Sequence, residues 1–216
     1  PPMCLRLLMI SHPATAAQRK STFPDGDDPL DARAVEEAAA CRAANADWLA
    51  ADAAFASPAR CATEAARIFG FAAVTREPAL ADADYGRWRG RRLVDIARDE
   101  PDALAAWTRD PSAAPHGGES FDALTRRVGG WLDALPQHGH RGTLIAVTHA
   151  PVIRAALVHV LHAPSTAFTH IDVPPLAIVE LQRGERGWTW RATAPHASPH
   201  APPHAPFPTP FPTPDA

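Results

Sequence analysis

Leu5-Arg6-Leu7-Leu8-Met9-Ile10-Ser11-His12-Pro13-Ala14-Thr15 is the stretch on which the fold turns. An almost unbroken apolar run of strand length, the kind buried on both faces of a sheet, empties into a histidine and then a chain-turning proline. Thr143-Leu144-Ile145-Ala146-Val147-Thr148-His149-Ala150-Pro151 repeats the plan. Open α/β sheets keep their ligand sites outside the carboxyl ends of the strands, so the two runs predict that His12 and His149 meet there. A lone histidine at a strand end is ordinarily structural. The pairing is what makes a shared site the better reading.

Outward from these strands the pattern alternates. A helix is expected from Pro29 to about Ala51, a short strand over 53–56, and a helix to Phe69 with Ser57 as cap and Pro58 in its first turn. A strand over 71–75 and an irregular passage over 77–92 follow, then helices near 93–98 and 101–108. Phe121, Leu124, Val128, Trp131, Leu132 and Leu135 recur at helical spacing after the Gly117-Gly118 turn. A helix from Pro151 to about His162 precedes two strands, near 176–182 and 188–193, joined as a hairpin. Alternation of this kind predicts an α/β fold: a single three-layer α/β/α domain over residues 3–194, its sheet mostly parallel with an antiparallel edge. From Pro195 the composition collapses to Pro, His, Ala and Thr, and residues 195–216 read as a disordered tail. Its prolines keep His196, His200 and His204 from aligning on a helix, which leaves them as weak metal binders at most.

Composition narrows the function. A net charge of −3 gives no global attraction to nucleic acid or anionic membrane. Cys4, Cys41 and Cys61 lack Cys-x-x-Cys spacing, so neither a disulfide scaffold nor a zinc knuckle is expected. No segment has the length of a membrane span and no secretory leader is apparent, so the expected location is cytoplasmic. Metal hydrolysis fits poorly, because no His-Glu-x-x-His or His-x-His pair stands near the strand ends. No metal and no organic cofactor are expected. Two histidines, Arg60 in the first turn of a helix, and a carboxylate on a nearby loop suit phosphoryl transfer: an imidazole attacks phosphorus, cations neutralise its oxygens, and an acid protonates the leaving alcohol.

At these residues the chain resembles the histidine phosphatase superfamily, the phosphoglycerate mutase-like fold. That family opens with a strand ending Arg-His-Gly-x-Thr, whose histidine is phosphorylated during turnover; here Ser11-His12-Pro13-Ala14-Thr15 stands in that place. Its second arginine, at a helix start, resembles Arg60 in Ser57-Pro58-Ala59-Arg60-Cys61-Ala62-Thr63. Its acid-bearing loop is similar to Leu80-Ala81-Asp82-Ala83-Asp84-Tyr85-Gly86-Arg87-Trp88-Arg89-Gly90. Gly117-Gly118-Glu119-Ser120 and Val147-Thr148-His149 complete the series. The resemblance implies a phosphomonoesterase acting on a small phosphate ester, with His12, Arg60, Asp82 and His149 catalytic and Ser11, Thr15, Arg19 and Glu119 binding substrate.

The departures from the family pattern bear on rate. Ser11 replaces an arginine, and losing one well-placed donor to a developing oxyanion costs about 3–4 kcal/mol. Pro13 removes a backbone N–H, and Asp82 is shorter than glutamate by one methylene. Arg19, Lys20, Arg87, Arg89, Arg91 and Arg92 read as solvated surface charges or, in the sharper reading, include a replacement for the missing cation. Two alternatives stand beside hydrolysis: a non-catalytic or weakly active phosphoryl-ligand binding member of the family, and a mutase returning the phosphoryl group to a sugar acid.

Overall fold

Strand β1, Leu5–Ser11, runs through the middle of the sheet with every residue but Arg6 buried. The computed structural model describes residues 5–192. Strand β4, Gly142–Thr148, lies parallel to β1 in a register that sets Ser11 beside Thr148. The histidine that follows each strand is thereby delivered to the same edge. Strands β2 (Ala53–Ala56) and β3 (Thr75–Arg76) extend the sheet in parallel on one side. On the other, β5 (Ile178–Gly184) pairs antiparallel with β1, and β6 (Gly187–Arg191) with β5. The order is β3-β2-β4-β1-β5-β6.

Because side chains alternate across a strand, β1 and β4 feed two cores. Leu7, Met9, Leu144 and Ala146 pack against α6 (Phe121–Ala134) and α7 (Ala150–Val160). Leu8, Ile10, Ile145 and Val147 pack against α2 (Ala32–Ala44) and α3 (Arg60–Ile68). The expected three layers are present. The short helices α1 (Ala16–Arg19), α4 (Leu93–Asp99) and α5 (Pro101–Arg109) belong to the connections above the sheet edge.

Three local expectations are corrected. The helix expected over 29–51 is confined to α2, because the Asp31 carboxylate accepts from the Ala34 N–H as N-cap and Asn45 closes the other end with its amide on the Cys41 carbonyl. The strand expected over 71–75 shrinks to Thr75–Arg76; Phe71 is buried, but its N–H returns to the Ala66 carbonyl at the end of α3. Ser57 does not cap α3, whose N-cap is Ala59 without a side-chain bond. Residues 1–4 and 193–216, with Cys4 and the tail histidines, lie outside the described residues. Among the described residues no helix is long and apolar enough to cross a membrane.

Two loops are locked together above the sheet. Arg87 N–H donates to the His116 carbonyl at 3.0 Å and Glu119 N–H to the Asp84 carbonyl at 2.7 Å. A Cβ on Gly118 would stand 2.0 Å from the Asp84 oxygen, so only glycine permits this approach. Thr148 Oγ1 donates to the Leu80 carbonyl at 2.7 Å, tying the acid-bearing loop to the end of β4.

Candidate active site

At the carboxyl ends of β1, β2 and β4 a cavity of about 760 Å³ is lined by His12, Cys61, Asp82, Glu119, Arg127 and His149, among others. The two histidines meet as the parallel strands require: His12 Nε2 lies 3.2 Å from His149 Nδ1, with the rings edge to face. His12 Nδ1 donates to the Pro13 carbonyl at 2.7 Å. A carbonyl can only accept, so that bond fixes the proton on Nδ1 and leaves the Nε2 lone pair bare. Burial, reinforced by the neighbouring His149, pushes His12 down to about 4. It is neutral, and therefore nucleophilic, near pH 7.

His149 Nε2 lies 2.7 Å from Ser57 Oγ, and burial pushes this imidazole down to about 3, with Arg127 acting in the same direction. Ser57 is fully buried at the end of β2 and also accepts from the Ala59 N–H. Asp82 Oδ2 is 3.5 Å from His149 Nδ1. Its Oδ1 accepts from the Ala83 N–H, and burial pushes the carboxyl up to about 6, the Ala83 N–H and His12 pulling the other way. A carboxyl with that value can hold a proton close to neutrality and surrender it to a leaving oxygen.

The other expected residues divide. Arg60 does not reach the pair: its guanidinium turns to Glu64, Nε to Oε1 2.8 Å, stays half exposed, and lines a separate depression with Arg67 and Arg76. A helix rotates about 100° per residue, so the next position faces the cavity, and that position is Cys61. Ser11 is absent from the cavity wall; its backbone belongs to the sheet and its hydroxyl points at the His12 carbonyl. Thr15 lines the cavity, but its hydroxyl is engaged as the N-cap of α1. Arg19 pairs with Asp31 and is not part of the wall. Glu119 lines the cavity while gripped by Arg127 through two bonds of 2.9 and 2.7 Å.

Of the candidate replacement arginines, Arg89 alone lines the cavity, paired with Asp84 at 2.7 Å. Arg87 pairs with Glu100, and Arg91 with Asp99 and Glu100. Trp88 and His116 are buried in an aromatic cluster with Trp107. Sequence reasoning missed Ser57, Cys61 and Arg127. The legible signal for Arg127 is an arginine bordering the apolar stripe of α6 beside Leu124 and Val128. The resulting wall carries the carboxylates of Asp25, Asp28, Asp82, Asp84 and Glu119 against two arginines that are already paired.

Fold and site define an α/β protein organised around a histidine pair at the carboxyl edge of its sheet. The chain belongs to the histidine phosphatase superfamily (branch 1), whose family model matches residues 7–194. It is 33% identical over 103 residues to a bifunctional protein of Mycobacterium tuberculosis, covering 47% of this chain and 28% of that one. It is 30% identical over 97 residues to the adenosylcobalamin/alpha-ribazole phosphatase of Salmonella typhimurium, covering 44% and 48%. These matches thus span about half the length of the curated relatives, or less. The fold resembles the alpha-ribazole phosphatase of Shigella flexneri with a TM-score of 0.77 at 24% identity, covering 86% of this chain and 94% of that one. Against the mycobacterial glucosyl-3-phosphoglycerate phosphatase the TM-score is 0.76 at 23% identity, covering 86% and 96%.

Proposed function

We propose that the chain hydrolyses a small phosphate monoester through a phosphohistidine on His12. The observation that carries this reading is the unprotonated His12 Nε2 on a cavity-lining residue, 3.2 Å from His149 Nδ1, with Asp82 3.5 Å from the same His149 nitrogen. The Nε2 lone pair attacks phosphorus, the P–O bond to the alcohol breaks, and Asp82 gives its proton to the departing oxygen. His149, turned so that Ser57 donates to its Nε2, offers Nδ1–H to a phosphoryl oxygen. Asp82, now a carboxylate, takes a proton from water; the water oxygen bonds phosphorus and the P–N bond breaks, restoring His12. No metal or organic cofactor enters this scheme.

Relatives that act on ribazole phosphates and on glucosyl-3-phosphoglycerate support a phosphorylated small metabolite as substrate class. Cys41 and Cys61 are free thiols, in keeping with a cytoplasmic location. Turnover is slow in this reading, because Ser11 and Cys61 supply no cation where the phosphoryl oxygens would lie. The test is a panel of phosphate monoesters with metal-free protein and with His12→Ala, together with trapping of an acid-labile phosphoenzyme. Full activity in His12→Ala ends the proposal. Ser11, Pro13 and Asp82, which depart from the family pattern, favour a second reading, a phosphoryl-ligand-binding member without turnover. Saturable binding of a phosphate ester with neither phosphate release nor phosphoenzyme would select it.

A further inference from the structure

The residues that face the histidine pair are unlike a phosphate cradle. Among the described residues the cavity is lined by five acidic residues against two arginines, Arg89 paired with Asp84 and Arg127 with Glu119, and the α3 position turned toward the pair holds a thiol. Such a wall repels a phosphate dianion and attracts a cation. We propose that His12, Cys61 and His149 form a site for a borderline-soft divalent cation of the Zn²⁺ class.

The geometry is that of ligands around a tetrahedral ion. His12, Cys61 and His149 each offer a ligand atom, all three within 4.8 Å of one another, and all three residues are buried. With Zn–N bonds of about 2.0–2.1 Å, two nitrogens on one tetrahedral ion stand about 3.3 Å apart. The two imidazole nitrogens here are 3.2 Å apart. Asp82 Oδ2 stands 3.5 Å from His149 Nδ1, so its carboxylate borders the site. Cys61 Sγ lies within 4.8 Å of both nitrogens and has to close to about 3.6 Å to share the ion.

The outer nitrogens are arranged as metal-binding imidazoles require. His12 Nδ1–H is held by the Pro13 carbonyl, which frees Nε2. Ser57 Oγ, 2.7 Å from His149 Nε2, is able to accept a hydrogen bond there as well as donate one, and in accepting it frees Nδ1. With both protons outward, two lone pairs face each other at 3.2 Å, and a cation between them converts that repulsion into two bonds. One thiolate and two imidazoles select Zn²⁺ over Mg²⁺ or Ca²⁺, whose ligands are oxygens. The consequence for activity rests on the phosphohistidine reading. Since His12 Nε2 is the proposed nucleophile, bound Zn²⁺ and phosphoryl transfer exclude each other.

Metal-free full-length protein is titrated with Zn²⁺ by calorimetry and with Co²⁺ by absorption spectroscopy. A second full-length protein carries His196→Gln, His200→Gln and His204→Gln to remove the tail imidazoles. The expected result is one Zn²⁺ per chain in both proteins, with a thiolate-to-cobalt charge-transfer band in the Co²⁺ form. Cys61→Ser, whose folding is checked by its melting curve, is expected to lose that band and to bind Zn²⁺ more than about a hundredfold more weakly, since losing even an outer-shell partner costs 10–100-fold. Should Cys61→Ser fail to fold, the band in the unsubstituted protein decides alone. Absence of the band, unchanged Zn²⁺ affinity in folded Cys61→Ser, or loss of binding with the tail histidines overturns the site. Phosphate release is measured on the metal-free protein and again with Zn²⁺. A chain that binds Zn²⁺ but hydrolyses no ester when metal-free upholds the site and refutes the phosphatase.

Discussion

Replacing Arg127 by methionine removes the strut beneath the cavity. The guanidinium donates to the carbonyls of Ala79 at 2.8 Å, Ala81 at 3.0 Å and Asp82 at 3.3 Å while gripping Glu119. It thereby ties the acid-bearing loop to the start of α6. Methionine fills a comparable volume but leaves the Glu119 carboxylate, 16% exposed, without its partner. Breaking a buried pair from one side costs about 3–5 kcal/mol. The Arg127 side chain is 27% exposed, so the lower end applies, about 3 kcal/mol. For a chain of 216 residues that corresponds to a fall in Tm of about 6–12 °C. Glu119→Gln on its own should cost less. Combined with Arg127→Met it removes the orphaned charge, so the double variant should be more stable than the sum of the single losses by at least about 1 kcal/mol. Thermal and urea unfolding of the four proteins measure this cycle. Additive losses, or a melting point for Arg127→Met within a degree of the parent, would refute the strut.

Three further outcomes are expected. Cys61→Arg should place a guanidinium toward the histidine pair and tighten inhibition by vanadate or phosphate by about 10–100-fold, the equivalent of one charge-assisted hydrogen bond; unchanged inhibition constants would show that this position does not face the anion site. Gly118→Ala should cost about 3 kcal/mol in urea unfolding, because its Cβ meets the Asp84 carbonyl at 2.0 Å and neither loop backbone is free to move; a neutral substitution would show that the loops are not locked. Stability should fall in acid as follows. His12 and His149 sit at about 4 and about 3, below the 6.5 of an unfolded histidine, so their contribution is present above pH 6.5 and lost as pH falls toward those values. Asp82, raised from 3.8 to about 6, works in the opposite direction and loses its contribution as pH rises from 4 to 6. Asp82→Asn should therefore steepen the loss between pH 6 and pH 4 by about one proton, near 1.4 kcal/mol per pH unit, in unfolding free energies measured across that range; parallel curves would show that Asp82 does not titrate there.

The sheet and its histidine pair were legible in the sequence because two buried parallel strands in register leave no freedom: once β1 and β4 are neighbours, the residues after Ser11 and Thr148 must meet. Positions set by rotation or by distant partners were not legible. The charge of Arg60 attracts attention, yet a single step along α3 turns it to Glu64 and brings Cys61 to the cavity. Arg127 acquires its role from carbonyls nearly fifty residues away in sequence, which no local pattern announces. The polar end of β2 has the sequence of a helix cap, whereas Ser57 holds the outer nitrogen of His149.

What separates this pocket from a phosphate cradle is charge, not shape. The cavity, the paired imidazoles and an acid with a raised pKa are all present, and each follows from the sheet edge and the two locked loops. The cations are not, because Ser11 is a hydroxyl within the sheet and the α3 position facing the pair is a buried thiol pushed up to about 12 by desolvation. A neutral thiol offers nothing to a phosphoryl oxygen. As a thiolate it is what a soft cation seeks, and Ser57 can bond either tautomer of His149, as donor for phosphoryl chemistry and as acceptor for the metal. On the two proposed readings the same imidazole pair serves phosphoryl transfer or, with Cys61, cation binding, according to where the protons of His149 and Cys61 sit.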